Sequence, residues 1–215
     1  MNKGLSKLFF LGFFIILFLG CESTNGNVGQ NSRLFSCKKA RNTTTVGLNQ
    51  YNQAKPFHLS DADRYYAQGI AYYRKGNFDQ AIADYSKAIS LDPNYAYAYY
   101  GRGLIYGKQG NFTQALSDYM KAIKLKPNYA PAYDSRGNIY CKQGSFKQAI
   151  FDYTKAIELN PKDAHAYYGR AGVYYSLKEY DNVWADVHKI EKLGYSFNPA
   201  FINALKKASG KIGKQ

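Results

Sequence analysis

From Ala62 to Phe197, small, aromatic and polar residues return in the same order every 34 residues. Aligning Gly69, Gly103, Gly137 and Ala171 puts Tyr65, Tyr99, Tyr133 and Tyr167 in one column and Tyr72, Tyr106, Tyr140 and Tyr174 in another. Ala81, Ala115 and Ala149 form a column that ends in Val183; Tyr85, Tyr119 and Tyr153 form one that ends in Val187; Ala88, Ala122 and Ala156 form one that ends in Ile190. Within the second unit, Tyr99, Gly103 and Tyr106 stand at i, i+4 and i+7, one face of a helix. After the turn GKQGN, the residues Phe112, Ala115, Leu116, Tyr119, Ala122 and Ile123 repeat that spacing and predict a second helix. Gly103 facing Ala115 predicts close approach of the two backbones. Pro127 lacks an amide donor and forces Lys126 out of the helical region, so the second helix must stop there, as Pro93 and Pro161 stop theirs. A single hairpin leaves an apolar face in water. Stacking buries it, which predicts four units at 62–95, 96–129, 130–163 and 164–197.

The second unit, AYAYYGRGLIYGKQGNFTQALSDYMKAIKLKPNY from Ala96 to Tyr129, resembles the tetratricopeptide repeat family, and the repeats cover about two-thirds of the chain. The resemblance implies an all-α solenoid of helix–turn–helix units in a right-handed superhelix. It also implies a concave face that binds peptides or proteins, with no catalysis and no cofactor.

The pattern changes on either side of the array. Lys3 and Lys7 precede an apolar run from Leu8 to Leu19, shorter than the ~20 residues of a membrane-spanning helix. A positive start and a short apolar core predict a secretory signal over residues 1–20. The following Gly20-Cys21 resembles the lipobox of bacterial lipoproteins, which implies lipid attachment at Cys21; Phe18 departs from the usual leucine. Residues 21–59 lack apolar periodicity and predict a disordered tether made basic by Arg33, Lys38, Lys39 and Arg41. Ser60 with Asp63 predicts a capping box at the first repeat helix. Gly194 and Asn198-Pro199 predict a break and a new helix whose Phe201, Ile202 and Leu205 cap the array against Val183, Trp184, Val187 and Ile190, within a terminal segment at 198–215.

Composition narrows the partners. The formal net charge is +14 and falls to +12 without Lys3 and Lys7. The excess sits in the tether, the second unit and the tail residues Lys206, Lys207, Lys211 and Lys214. The tyrosines occupy structural columns, so a nucleic-acid partner is not expected; anionic lipid, wall polymer or an acidic protein suits the charge better. Beyond Cys21, Cys37 and Cys141 form no disulfide framework, and Cys141 is expected to be free. His58, His165 and His188 are scattered, no HExxH or CxxC spacing occurs, and Gly101, Gly103 and Gly107 lie within a helical unit instead of following a strand.

Two further sets of positions carry expectations. Asp84, Asp118, Asp152 and Asp186 recur in the second helix, and Arg102, Arg136 and Arg170 in the first, with Gln68 in the first unit. Pairing each aspartate with the arginine of the next unit explains Gln68, which no unit precedes, so inter-repeat pairs are expected. Positions 2, 5, 9 and 12 of each unit form a stripe beside the expected core stripe at 4, 8 and 11. By resemblance to the family, this stripe lines the groove. Its candidate contact residues are Tyr66, Ile70, Tyr73, Tyr97, Tyr100, Leu104, Asn138 and Tyr168, with Ile70, Tyr97 and Leu104 expected to face water as apolar anchors. No stripe position holds Lys or Arg, so the carboxylate grip used by some family members is not expected. The expected function is that of a lipid-anchored, non-enzymatic scaffold for protein partners at the bacterial envelope. The alternative is an accessory or enzyme-like factor acting on an envelope polymer such as cell-wall glycan.

Overall fold

The computed structural model describes residues 59–210; the signal, Cys21, the tether and the tail beyond Gly210 lie outside the described residues. Within them are nine helices and no strand: α1 (Asp61–Arg74), α2 (Phe78–Leu91), α3 (Ala96–Lys108), α4 (Phe112–Leu125), α5 (Ala130–Lys142), α6 (Phe146–Leu159), α7 (Ala164–Ser176), α8 (Tyr180–Lys192) and α9 (Pro199–Ala208). Each unit contributes one pair, and each second helix packs on the first helix of the next unit, giving an all-α solenoid. The capping box forms, with Ser60 Oγ accepting from the Asp63 amide and the Asp63 carboxylate accepting from the Ser60 amide. α4 ends at Leu125, and Lys126 leaves the helical region at φ −137°, as the clash with Pro127 requires. Within units 1 to 3 the turn needs a left-handed residue, supplied by Gly76, Gly110 and Gly144 at φ +79°, +81° and +75°. The fourth unit places Lys178 there at φ +61°.

Each of the first three hairpins is held by a tyrosine inserted between backbones. Tyr85, Tyr119 and Tyr153 are 3%, 2% and 1% exposed. A Cβ on Gly103 would sit 2.8 Å from the Tyr119 ring, so the ring fills the space that the glycine leaves; at the equivalent Gly137 a Cβ would also lie 3.4 Å from the Ala149 carbonyl oxygen. Tyr85 lies between Gly69 of its own unit and Gly101 of the next, and Tyr153 between Gly137 and Gly169. The glycine columns are therefore sockets for one aromatic column, which ties adjacent units together.

The expected core stripe also shifts. Position 8 is buried throughout, but the flanking Tyr99 and Tyr106 are only half-buried. Full burial falls instead on Ala98, Ala132 and Ala166 at position 3 and on Ile105, Ile139 and Val173 at position 10. These residues meet the preceding unit. In the first unit the same positions hold Arg64 and Ala71, both exposed, because nothing precedes them in the array. At the far end, Phe201 and Leu205 of α9 share a core with Ala171, Val183 and Val187; Trp184 packs on that core and Ile190 is fully buried. α9 is the expected cap.

The charge ladder runs differently from the expectation. Arg102 Nη2 meets Asp118 at 2.8 Å, Arg136 Nη2 meets Asp152 at 2.7 Å and Arg170 Nη2 meets Asp186 at 2.7 Å, each within its own unit. Inter-repeat Asp84–Arg102, Asp118–Arg136 and Asp152–Arg170 pairs do not form. Nε and Nη2 together hold the carboxylate in a two-pronged grip. The remaining Nη1 crosses to the previous unit and donates to a hydroxyl, from Arg102 to Ser86 and from Arg170 to Thr154, both at 2.9 Å. The repeats are thus linked through arginine and a hydroxyl. Asp84, whose unit holds Gln68 where the others hold arginine, has a buried Oδ2 with no hydrogen-bond partner among the described residues, and burial pushes its carboxyl up.

Candidate functional site

Besides pairing within its unit, each first helix touches the first helix of the next: α1 with α3, α3 with α5 and α5 with α7. In a curved stack the elements that crowd together lie on the inner side, so the first helices line the groove. Their stripe at positions 2, 5, 9 and 12 is not an open apolar surface. Ile70, Tyr97 and Leu104, expected to face water, are half-buried: Ile70 packs against the core of Ala81, Tyr85 and Ala98, and Leu104 against that of Ala115, Tyr119 and Ile139. Small alanines at position 3 draw the helices close enough to cover part of the stripe. Tyr66, Tyr73, Tyr100, Asn138 and Tyr168 are half-buried as well.

The stripe brings together residues that the sequence reading did not single out. The last residue of a unit folds back onto position 5 of the same unit: Tyr95 on Tyr66 with centroids 5.1 Å apart, Tyr129 on Tyr100 at 5.0 Å and Phe197 on Tyr168 at 4.7 Å. Tyr97 bridges the first two pairs, 6.3 Å from Tyr66 and 5.2 Å from Tyr129. Tyr66, Tyr95, Tyr97, Tyr129 and Tyr100 therefore form a continuous aromatic wall over units 1 and 2. Tyr95 and Tyr129 share position 34, and the period would have revealed them. Lys126 lies 4.2 Å from the Tyr97 ring and donates to its hydroxyl. Tyr95 donates to Asp63 Oδ1 at 2.7 Å; burial first, and then this bond, push the Tyr95 phenol up and keep it a donor.

Unit 3 breaks the wall. The positions that hold an aromatic pair elsewhere hold Asp134 and Asp163. His165 Nδ1 lies 2.8 Å from Asp134 Oδ2, and this hydrogen bond raises the imidazole above its ordinary value against the cost of burial. Tyr153 donates to Asn138 Oδ1 at 2.8 Å, and Asn138 Nδ2 stands 3.5 Å from Asp134 Oδ2. Asp134 Oδ1 is buried without a hydrogen-bond partner among the described residues. The groove is aromatic over units 1 and 2 and acidic over unit 3. Cys141 is free and buried, and burial pushes its thiol up to about 11, which makes it a packing residue. Among the described residues, no cluster of His, Cys, Asp and Glu has the arrangement of a metal site, and no helix is long and apolar enough to cross a membrane.

Comparison with known proteins agrees with this architecture. A family model described as TPR repeat matches residues 69–110 and 137–178, and one described as tetratricopeptide repeat matches 96–129. No curated protein matches. Among solved structures, the chain is similar to the first TPR of Spaghetti (RPAP3) bound to the HSP90 peptide SRMEEVD, at 27% identity and TM-score 0.53, covering 56% of this chain and 98% of that one. It is similar to the MamA protein at 28% identity and TM-score 0.60, covering 70% and 83%. The Arabidopsis OM64 TPR domain, at 24% identity, TM-score 0.53 and coverage of 54% and 96%, shares the fold.

Proposed function

The chain carries tetratricopeptide repeats folded as an all-α solenoid, and from that premise we propose a non-enzymatic scaffold, lipid-anchored at the cell envelope, that holds a peptide or partner protein in its inner groove. The observation that carries this reading is the aromatic wall of Tyr66, Tyr95, Tyr97, Tyr100 and Tyr129 on the inner side of units 1 and 2. Rigid rings offer large contact area at low entropic cost, and such anchors contribute about 2 kcal/mol or more each at interfaces. The peptide on the Spaghetti domain, SRMEEVD, is rich in acids. The stripe here holds Asp63 and Asp134 and no Lys or Arg, so the partner differs in charge: apolar side chains over units 1 and 2, and a cationic one over Asp134 and Asp163. Anchoring rests on the apolar run ending in Gly20-Cys21.

Two experiments test the two halves separately. For the groove, the triple change Ile70→Ser, Tyr97→Ser and Leu104→Ser is compared with the unaltered protein in pull-downs from detergent-solubilised membranes, with circular dichroism to establish folding. Loss of specific protein partners is expected. Partners retained at full affinity by the folded variant would remove the groove as the site, and recovery of glycan alone would replace the scaffold with a polymer-binding factor. For the anchor, Cys21→Ser is expected to move the protein from the membrane fraction to the soluble one. An unchanged distribution would rule out lipid attachment.

A further inference from the structure

The ladder arginine lies at position 7 of its helix, on the side opposite the groove stripe at about 3.6 residues per turn. Among the units that hold this arginine, that side is alike except in unit 3. Arg102 and Arg170 each spend their third nitrogen on a hydroxyl of the preceding unit, Ser86 and Thr154. At the same register position before Arg136 stands Met120, which offers no oxygen, and Arg136 Nη1 makes no hydrogen bond among the described residues. Met120 is 48% exposed. One residue before Asp152, where units 1, 2 and 4 hold Ala83, Ser117 and Ala185, unit 3 holds Phe151, 65% exposed and the most exposed large apolar side chain among the described residues. Phe151 and Arg136 line one open cleft with Tyr140 and Lys147.

We propose that this outer cleft of unit 3 is a second docking site, for an acidic segment of a partner protein. One carboxylate of the segment meets Arg136 Nη1 and Lys147, and a neighbouring apolar side chain lies against Phe151 and Met120. Two substitutions in the repeat meet here, Met120 for a hydroxyl residue and Phe151 for a small one, and each leaves something a ligand would use. The lost hydroxyl frees a guanidinium donor whose orientation is already set by its grip on Asp152 and by the flanking Tyr133 and Tyr140 rings, 5.7 and 5.9 Å from its carbon. The two gained apolar side chains lie in water on the surface, where they contribute little to the fold. Charge selects the occupant: with Lys126 held on Tyr97 in the groove, the adjoining unit 2 still sets Arg102, Lys108, Lys121 and Lys124 against Asp118 alone, so an acidic segment is drawn to this face and a basic one repelled. The site is independent of the groove.

The other repeats supply variants that keep the fold. Met120→Ser restores the hydroxyl and captures Nη1, and Phe151→Ala restores the residue of units 1 and 4. The measurement is fluorescence anisotropy of the detergent-solubilised full chain with a labelled peptide of alternating Glu and Leu, against the same peptide with Gln for Glu. The intact chain is expected to bind the Glu peptide at least about tenfold more tightly than the Gln peptide. The double variant is expected to lose at least about tenfold in affinity with an undiminished melting temperature, while the groove triple variant binds as the intact chain does. Equal binding of the two peptides by the intact chain, or full binding by the double variant, overturns the proposal. So does a double variant that loses only adhesion to phosphatidylglycerol vesicles, which makes the face a lipid contact, or only self-association in sedimentation, which makes the occupant a second copy.

Discussion

Asp84 and Asp152 stand at one register position and differ in what faces them. Asp152 is fully buried and gripped by Arg136; the guanidinium lies between Tyr133 and Tyr140 and is held above its ordinary value by the carboxylate. The unit of Asp84 holds Gln68 in place of the arginine, and no salt bridge reaches Asp84 among the described residues. Asp152→Asn leaves a partly buried guanidinium without its counter-charge and is expected to cost about 3 kcal/mol in urea unfolding. Asp84→Asn is expected to be neutral or stabilising at pH 7. Because burial raises the folded-state value of Asp84, its carboxyl favours folding when protonated and loses that contribution as pH rises through the raised value. Asp84→Asn should therefore flatten the pH dependence of stability just above the ordinary carboxylate range. Gln68→Arg supplies the missing cation and is expected to raise the melting temperature by about 2–4 °C, given about 1 kcal/mol from a two-pronged pair. A fall in melting temperature would mean that Asp84 is already satisfied by solvent.

The turns and sockets belong to the scale of the element. The fourth hairpin reverses through Lys178 at φ +61°, where a side chain costs roughly 1–2 kcal/mol and the other units use glycine. Lys178→Gly is expected to recover about 1 kcal/mol, less the entropy that glycine adds to the unfolded chain. Gly169 is the opposite case. A Cβ there would lie 2.5 Å from the Tyr153 ring, whose 1% exposure leaves it nowhere to move. Gly169→Ala is expected to destabilise the array by about 1–3 kcal/mol through overpacking, read as a lower urea midpoint. The pair separates two uses of glycine, one for its backbone and one for its missing side chain.

At the scale of the molecule, the ends are built differently from the middle. Unit 1 faces outward with Arg64 and Ala71 where later units bury alanine and isoleucine or valine, so its outer side is already suited to water. Unit 4 is not: Val183 and Val187 are fully buried under Phe201 and Leu205. Ending the chain at Gly194 removes α9 and exposes that surface. The expected result is self-association in sedimentation and a broadened unfolding transition, because a repeat array loses cooperativity when its terminal interface is lost. The groove follows from the same stacking, since close contact of successive first helices is what bends the array and half-covers the aromatic wall.

The period, the helix pairs, their stops and the cap were legible in the sequence because each rests on a local rule: spacing on a helix face, proline after a helix, a capping serine, an apolar stripe at the end. The register of the ladder was legible too, but not its pairing. Repeat spacing alone assigns each aspartate equally well to the arginine of its own unit or of the next. Only the packed helices bring Nε and Nη2 to the carboxylate of the same unit and turn Nη1 toward the unit before. The same limit applied to the groove. Sequence spacing placed Tyr66, Tyr97 and Tyr100 on one stripe, but whether a stripe faces water depends on how near the next helix comes. That distance is set by alanines at position 3 and by rings seated in glycine sockets, contacts between units that no single unit's spacing contains.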